Sequence, residues 1–245
     1  MATLQYSLHR WAIAVCLAGL GCLAWADDAA IRKNIAERLP DFPKIDEISK
    51  TPIPGLYEIR AGVEVFYTDE LGNHLIEGHL IETKTRTDLT EARVSKLTAI
   101  DFAALPLKDA IVWKQGSGER KLAVFADPNC GYCKKFERDL QQVKDVTVYT
   151  FLMPILGGDS PTKARDIWYA KDSTKAWREW MLSAATPPRS MGQCDVSALR
   201  RNLALGQKHR INGTPGLVFE DGRRSSGALN AEQLEKQLVA SRKAS

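Results

Sequence analysis

The apolar pattern changes period several times along the chain, and each change marks an element. The run Trp11 to Ala24 is nearly all apolar, with His9 and Arg10 ahead of it. Ala24-Trp25-Ala26 then places small residues at the −3 and −1 positions of a cut before Asp27, which predicts an export signal over residues 1–26. A retained membrane anchor is the competing reading, but the run falls short of the ~20 residues a span needs. A lipoprotein cut before Cys22 is less favoured, because Gly19-Leu20-Gly21 is a poor lipobox.

Beyond Asp27-Asp28, Ile31, Ile35 and Leu39 recur at helical spacing, and Pro40 and Pro43 close that helix. After the loop Pro52-Ile53-Pro54-Gly55 come three strand-like runs: Leu56 to Arg60, Val63 to Thr68 and His74 to Thr83. In the second, Val63, Val65 and Tyr67 alternate with Glu64 and Phe66. Asp69 to Asn73 reads as the connecting turn. An antiparallel sheet of this size is marginal alone, so it is expected to dimerise through an edge strand or a sheet face.

From Asp88 the period becomes helical. Asp88 and Glu91 form a capping pair, and Leu89, Ala92, Leu97 and Ile100 share one side, so residues 88–104 read as a linker helix. The remainder begins with Ile111-Val112-Trp113, a Gly116-Ser117-Gly118 turn and the strand Lys121 to Ala126. An amphipathic helix follows with Phe136, Leu140 and Val143 as its stripe, then the strand Val146 to Met153. Residues 160–207 read as mostly helical, broken at Pro187-Pro188, with Trp168, Trp177 and Trp180 supplying bulk. Gly216 to Glu220 is a strand and residues 230–241 a last helix, N-capped by Asn230 with Gln233 three residues on. The expected class is α+β, divided into the signal 1–26, a small domain 27–87, a linker 88–104 and a larger domain 105–245.

Composition agrees with a packed globular chain: 44% hydrophobic and 26% charged residues fit neither a disordered nor a fibrous class. The net charge of +4 is spread rather than concentrated in a run, which gives nucleic-acid binding no support. Removing residues 1–26 lowers the 34 basic residues to 33 against 30 acids. Of the five cysteines, Cys16 and Cys22 lie in the signal, leaving Cys130, Cys133 and Cys194. Three cysteines are too few for a disulfide framework in a chain of this size.

The chemistry concentrates in Cys130-Gly131-Tyr132-Cys133, between a strand and a helix. A thiolate is the nucleophile in disulfide exchange, and a helix N-terminus stabilises it through unpaired N–H groups and partial positive charge. Cys130 stands at that position, so it is the expected attacking thiol. Cys133, one turn later, is expected to be more buried and less acidic, and placed to resolve a mixed disulfide on Cys130. Gly131 and Tyr132 tune the geometry. A zinc site is the rival reading, but it wants four ligands, and Cys194, His74, His79 and His209 form no second close pair. An inert structural staple is the other, and so small a ring staples poorly. Exchange itself requires no cofactor and no metal. Thr214-Pro215 precedes a strand downstream. Only about 5–6% of X-Pro bonds are cis, so the pair alone reads as a turn. It gains weight from its place after a Cys-x-x-Cys and a helical block.

The chain resembles the DsbC/DsbG family of periplasmic thiol:disulfide interchange proteins, on its DsbC side. The resemblance rests on Phe125-Ala126-Asp127-Pro128-Asn129-Cys130-Gly131-Tyr132-Cys133-Lys134-Lys135, on Ile167 to Asp172, on Cys194-Asp195 and on Gly213-Thr214-Pro215. Asp27 to Ile31 and the small sheet also fit. It implies a cystatin-like dimerisation domain, linker helices and a thioredoxin-like catalytic domain with a helical insertion. It further implies a V-shaped homodimer in the periplasm, an apolar cleft for misfolded disulfide-bonded exported proteins, and a DsbD-type membrane reductase as partner. Cys130 and Cys133 would be catalytic. Thr214 and Pro215 would form a cis-proline loop that binds the client beside Gly131 and Tyr132. Cys194 matches half of a second disulfide of the family, but the other position holds Tyr169, so that bond is absent and Cys194 is expected to be a buried thiol. An intermolecular or regulatory disulfide is the alternative.

The expected activity is disulfide isomerisation and reduction of misoxidised clients. A DsbA-like oxidase, a chaperone-like binding protein and a specialised periplasmic reductase are the alternatives. The small N-terminal domain argues against the first, since a monomeric oxidase has no need of one.

Overall fold

The computed structural model describes residues 22–191 and 194–243. Most of the export-signal stretch, residues 1–21, therefore lies outside the described residues. The chain divides between Leu97 and Thr98 into two compact units.

The first unit opens with α1 (Cys22–Arg38). Ile31 and Ile35 are buried one turn apart, while Leu39, expected on the same stripe, is 43% exposed. It falls past the helix end, just before Pro40, where no further turn carries it to the core. Strands β1 (Glu47–Lys50), β2 (Leu56–Ala61), β3 (Glu64–Asp69) and β4 (Leu75–Ile76) form an antiparallel sheet in that order. Alternation along β2 buries Tyr57, Ile59 and Ala61. Ile31, Ile35, Tyr57 and Ile59 make the core, with Phe42 packed edge-on against Phe66 at 5.0 Å. The Asp69 carboxylate fixes the β3–β4 turn by accepting from the Leu71, Asn73 and His74 N–H groups.

The single strand expected over His74 to Thr83 is two short ones. β4 is followed by a bend at Gly78, and β5 (Ile81–Glu82) pairs with β6 (Thr87–Asp88) in a separate ribbon. A glycine inside a strand weakens it and lets the chain turn. The helix expected over 88–104 is also shorter: α2 runs Leu89–Leu97, and Phe102–Ala104 form one 3₁₀ turn. Asp88 caps α2 by accepting from Glu91 N–H at 2.8 Å, as the spacing predicts. Continuation fails because the Ile100 N–H donates to the Gly222 carbonyl and the Ile100 side chain is buried in the second unit's core.

In the second unit, β7 (Ile111–Gln115), β8 (Arg120–Ala126), α3 (Gly131–Leu140) and β9 (Val146–Leu152) come first. Helices α4 (Ser160–Trp168), α5 (Ser173–Ser183) and α6 (Ser197–Lys208) follow, then β10 (Gly216–Phe219), β11 (Arg224–Ser226) and α7 (Ala231–Lys243). The sheet order is β11-β10-β8-β9-β7. Only β8 and β9 are parallel, joined through α3 as a parallel pair must be. β8 is apolar on both faces because it is covered twice. Leu122, Val124 and Ala126 face a core with Phe136, Trp177 and Leu234, whereas Ala123 and Phe125 face another with Phe102, Phe151 and Ile211.

The last helix has the expected reciprocal cap: Asn230 Oδ1 accepts from Gln233 N–H at 2.9 Å, and Gln233 Oε1 accepts from Asn230 N–H at 3.0 Å. Asn230→Ala is expected to cost about 1 kcal/mol. A lower urea midpoint at unchanged slope is the sign to look for. Among the described residues, no helix is long and apolar enough to cross a membrane.

Candidate functional site

The site forms where β8 ends. Because β10 runs antiparallel to β8 with Gly216 opposite Phe125, the segment entering β10 lies beside the segment leaving β8. Those segments carry Thr214-Pro215 and Cys130. The Thr214–Pro215 bond is cis. Residues 84 apart in sequence thus meet: the Cys130 thiol donates to the Thr214 carbonyl at 3.2 Å.

Cys130 is the N-cap of α3, with extended backbone angles (φ −73°, ψ 115°). Its sulfur accepts from the Cys133 N–H at 3.2 Å, one of the donors that a helix start leaves unpaired. Both thiols are unbridged and both are buried, Cys133 more deeply. The Cys130 thiol is held down to about 6, chiefly by the Cys133 thiol that donates to it. Burial opposes this, while Thr214 and the Cys133 and Tyr132 N–H groups assist. The same contact with Cys130, together with burial, pushes Cys133 well above the usual thiol range. The environment thus favours the thiolate at Cys130 and the protonated thiol at Cys133. Alkylation of Cys130 is expected to be fast and flat above pH ~6 and to fall tenfold per unit below it, as the thiolate is protonated. Mass-resolved alkylation against pH checks this; an ordinary thiol would still gain rate up to pH ~8.5.

The loop between β8 and Cys130 is pinned by groups that the sequence pattern does not single out. The buried Asp127 carboxylate accepts from Asn129 N–H, from Leu156 N–H and from the Ser160 hydroxyl at 2.7–2.9 Å. Trp180, read only as bulk, donates its indole N–H to the Pro128 carbonyl at 2.6 Å. Its ring lies 4.1 and 4.4 Å from the Lys134 and Lys163 ammonium groups, and Lys163 also donates to the Asn129 side chain. An Asp-Pro-Asn run before a cysteine hints at a turn, but nothing local marks Trp180 as its partner.

Exposed apolar side chains lie by the Cys130 loop. Tyr132 is 71% exposed, and Ile155 and Leu156, tied in through Asp127, are also exposed. Gly131 has open space where a side chain would stand. Pro215 is buried and Thr214 half-buried. Cys194, expected to be buried, is half-buried in the segment ahead of α6, and Tyr169 is 39% exposed. Among the described residues, no group of three or more His, Cys, Asp or Glu side chains is placed to hold a metal.

A cysteine pair at a helix start with a cis-proline loop against it, on a sheet of this order, defines a thioredoxin-like thiol–disulfide oxidoreductase. Comparison with known proteins agrees. Residues 107–241 match a thioredoxin-like domain profile, and residues 22–91 match the profile of the disulfide bond isomerase protein N-terminal domain. The chain is 43% identical over 209 residues to the probable thiol:disulfide interchange protein DsbC of Bordetella parapertussis, covering 85% of this chain and 73% of that one. It is 28% identical to the Escherichia coli thiol:disulfide interchange protein DsbC, over 91% and 92% of the two chains. Among solved structures, a disulfide interchange protein from Neisseria gonorrhoeae is similar with TM-score 0.53 and 38% identity, covering 56% of this chain and 99% of that one. The chain belongs to the DsbC family of thiol:disulfide interchange proteins and is a disulfide exchange enzyme.

Proposed function

We propose that Cys130 and Cys133 carry the isomerase and reductase activity of this enzyme on misoxidised exported proteins. Cys130 attacks a wrong client disulfide, and the client thiolate leaves. A second client thiolate then displaces Cys130 with a new pairing, which is isomerisation. Alternatively Cys133 displaces the client, which leaves it reduced and the enzyme pair oxidised. The observation that carries this reading is the Cys130 sulfur at the α3 N-terminus, 3.2 Å from the Thr214 carbonyl. Thr214 and Pro215 offer backbone to an extended client segment, and Gly131 and Tyr132 line its path. The exposed apolar side chains by the Cys130 loop suit an unfolded chain.

The reading places the protein in the periplasm as a homodimer joined through its N-terminal unit, with a DsbD-type membrane reductase returning the pair to dithiol. The match to the isomerase N-terminal domain and the export pattern of residues 1–26 support it. The test is reactivation of ribonuclease with scrambled disulfides by the mature protein. Rapid oxidation of reduced ribonuclease without reactivation of the scrambled form would overturn isomerisation. A monomeric mass by light scattering would overturn the dimer.

A further inference from the structure

Asp127 does more than pin the loop before Cys130. It is fully buried just past the end of β8, and its side chain bonds to two different segments. Oδ1 accepts from Asn129 N–H on the catalytic loop and from the Ser160 hydroxyl, both at 2.7 Å. Oδ2 accepts from Leu156 N–H at 2.9 Å. The Asp127 main-chain carbonyl accepts from Cys130 N–H at 3.1 Å. One residue therefore touches the backbone of the attacking cysteine and the backbone of the segment 154–160.

That segment gains little stability from being held. Ile155 and Leu156 are 41% and 56% exposed, so ordering them costs entropy and buries little apolar surface. Gly157 and Gly158 follow, both left-handed (φ +72° and +57°), and turn the chain into α4. A second link joins the same two segments. Asp159 stands at the N-cap position of α4, where an aspartate ordinarily accepts from the first free N–H groups, yet its side chain does not cap the helix. Its Oδ1 accepts from the Asn129 side-chain amide at 2.7 Å instead, and Lys163 donates to both Asn129 and Asp159. Burying a carboxylate and forgoing a cap both cost free energy. What they hold in place is a pair of apolar side chains turned out of the core, placed to meet another chain.

We propose that Asp127 is a positioning residue for client recognition. It fixes Ile155 and Leu156 as an apolar rim beside the Cys130 loop, and that rim holds an apolar stretch of the client next to its wrong disulfide. The inference rests on the exchange role given above for Cys130. Asp127 itself touches neither the client nor the reacting sulfurs. The bond changes stay those of exchange: Cys130 sulfur bonds to one client sulfur, the client disulfide breaks, and the other client sulfur leaves as thiolate. The rim acts on affinity for the client, because the Oδ2 that holds it is separate from the main-chain carbonyl that holds Cys130.

Asp127→Asn tests this at a single atom. An amide oxygen still has two lone pairs for the Asn129 and Ser160 donors, but the amide NH₂ then faces the Leu156 N–H, donor against donor. The full chain is assayed on ribonuclease with scrambled disulfides, and on a small aromatic disulfide that releases a coloured thiolate and carries no flanking chain. In Asp127→Asn the KM for scrambled ribonuclease is expected to rise about five- to ten-fold, with kcat and the rate on the small disulfide falling much less. Leu156→Ser, at an exposed position, should raise the same KM, and adding Asp127→Asn to it should change KM by less than about two-fold further. Equal losses on the two substrates, an unchanged KM for scrambled ribonuclease in either single variant, or effects that multiply in the double variant overturn the proposal. If Asp127→Asn does not fold, Ser160→Ala, which takes one bond from the same carboxylate, replaces it under the same criteria. Failure of the parent protein on both substrates would instead sink the cysteine roles.

Discussion

Cys130→Ser is expected to reduce reactivation of scrambled ribonuclease to background, a loss on the order of 10³-fold or more. The reason is specific to the site. The α3 N-terminus, the Cys133 thiol and Thr214 stabilise a sulfur anion that already exists near neutral pH. A serine hydroxyl ionises so far above that range that the same environment cannot produce an alkoxide. Suppression of client aggregation by the variant would reveal a binding contribution of the apolar rim, independent of exchange. Exchange surviving in Cys130→Ser would show that another thiol initiates, and the assignment would fail.

Cys133→Ala is expected to have two large effects of opposite kind. Resolution stops, so clients accumulate as mixed disulfides on Cys130, visible as adducts on non-reducing gels that a reductant dissolves. The Cys130 thiol also loses the hydrogen bond that contributes most to its low ionisation, so its alkylation midpoint should rise from about 6 toward 9. The sign follows from the depressed value. A group stabilised as an anion needs a higher pH to ionise once that stabilisation is removed. Clean release of clients by the variant, with the midpoint unmoved, would contradict both assignments.

Much of this protein is readable from local spacing. The reciprocal cap at Asn230 and Gln233, the cap of Asp88 on Glu91 N–H and the Asp69 turn are contacts within five residues, and the structure contains them. β8 is readable because a strand buried on both faces is a continuous apolar run. Strand β1, with sequence Glu47-Ile48-Ser49-Lys50, escapes notice because its signal lies in its neighbour: it is held by pairing with β2 from Glu47 opposite Arg60 to Lys50 opposite Tyr57. The length of α2 escapes for a similar reason, since a carbonyl more than a hundred residues away, on Gly222, takes the Ile100 N–H.

Sequence alone determined that a Cys-x-x-Cys pair begins a helix with Cys130 at its cap, because capping acts over a single turn. It also determined the succession β7, β8, α3, β9, a helical block, β10 and α7 in the larger unit, because hydrophobic period is a local property, while β11 and the break between α4 and α5 carry no such signal. Only the tertiary structure decided that Thr214 meets Cys130, that Trp180 holds the Pro128 carbonyl, and that Glu137 is buried against Trp177. Each of these depends on how β10, α5 and α3 close upon one another. Burial pushes the Glu137 carboxyl, which reads as surface charge, above its ordinary ionisation range, and no local pattern records which faces will be covered.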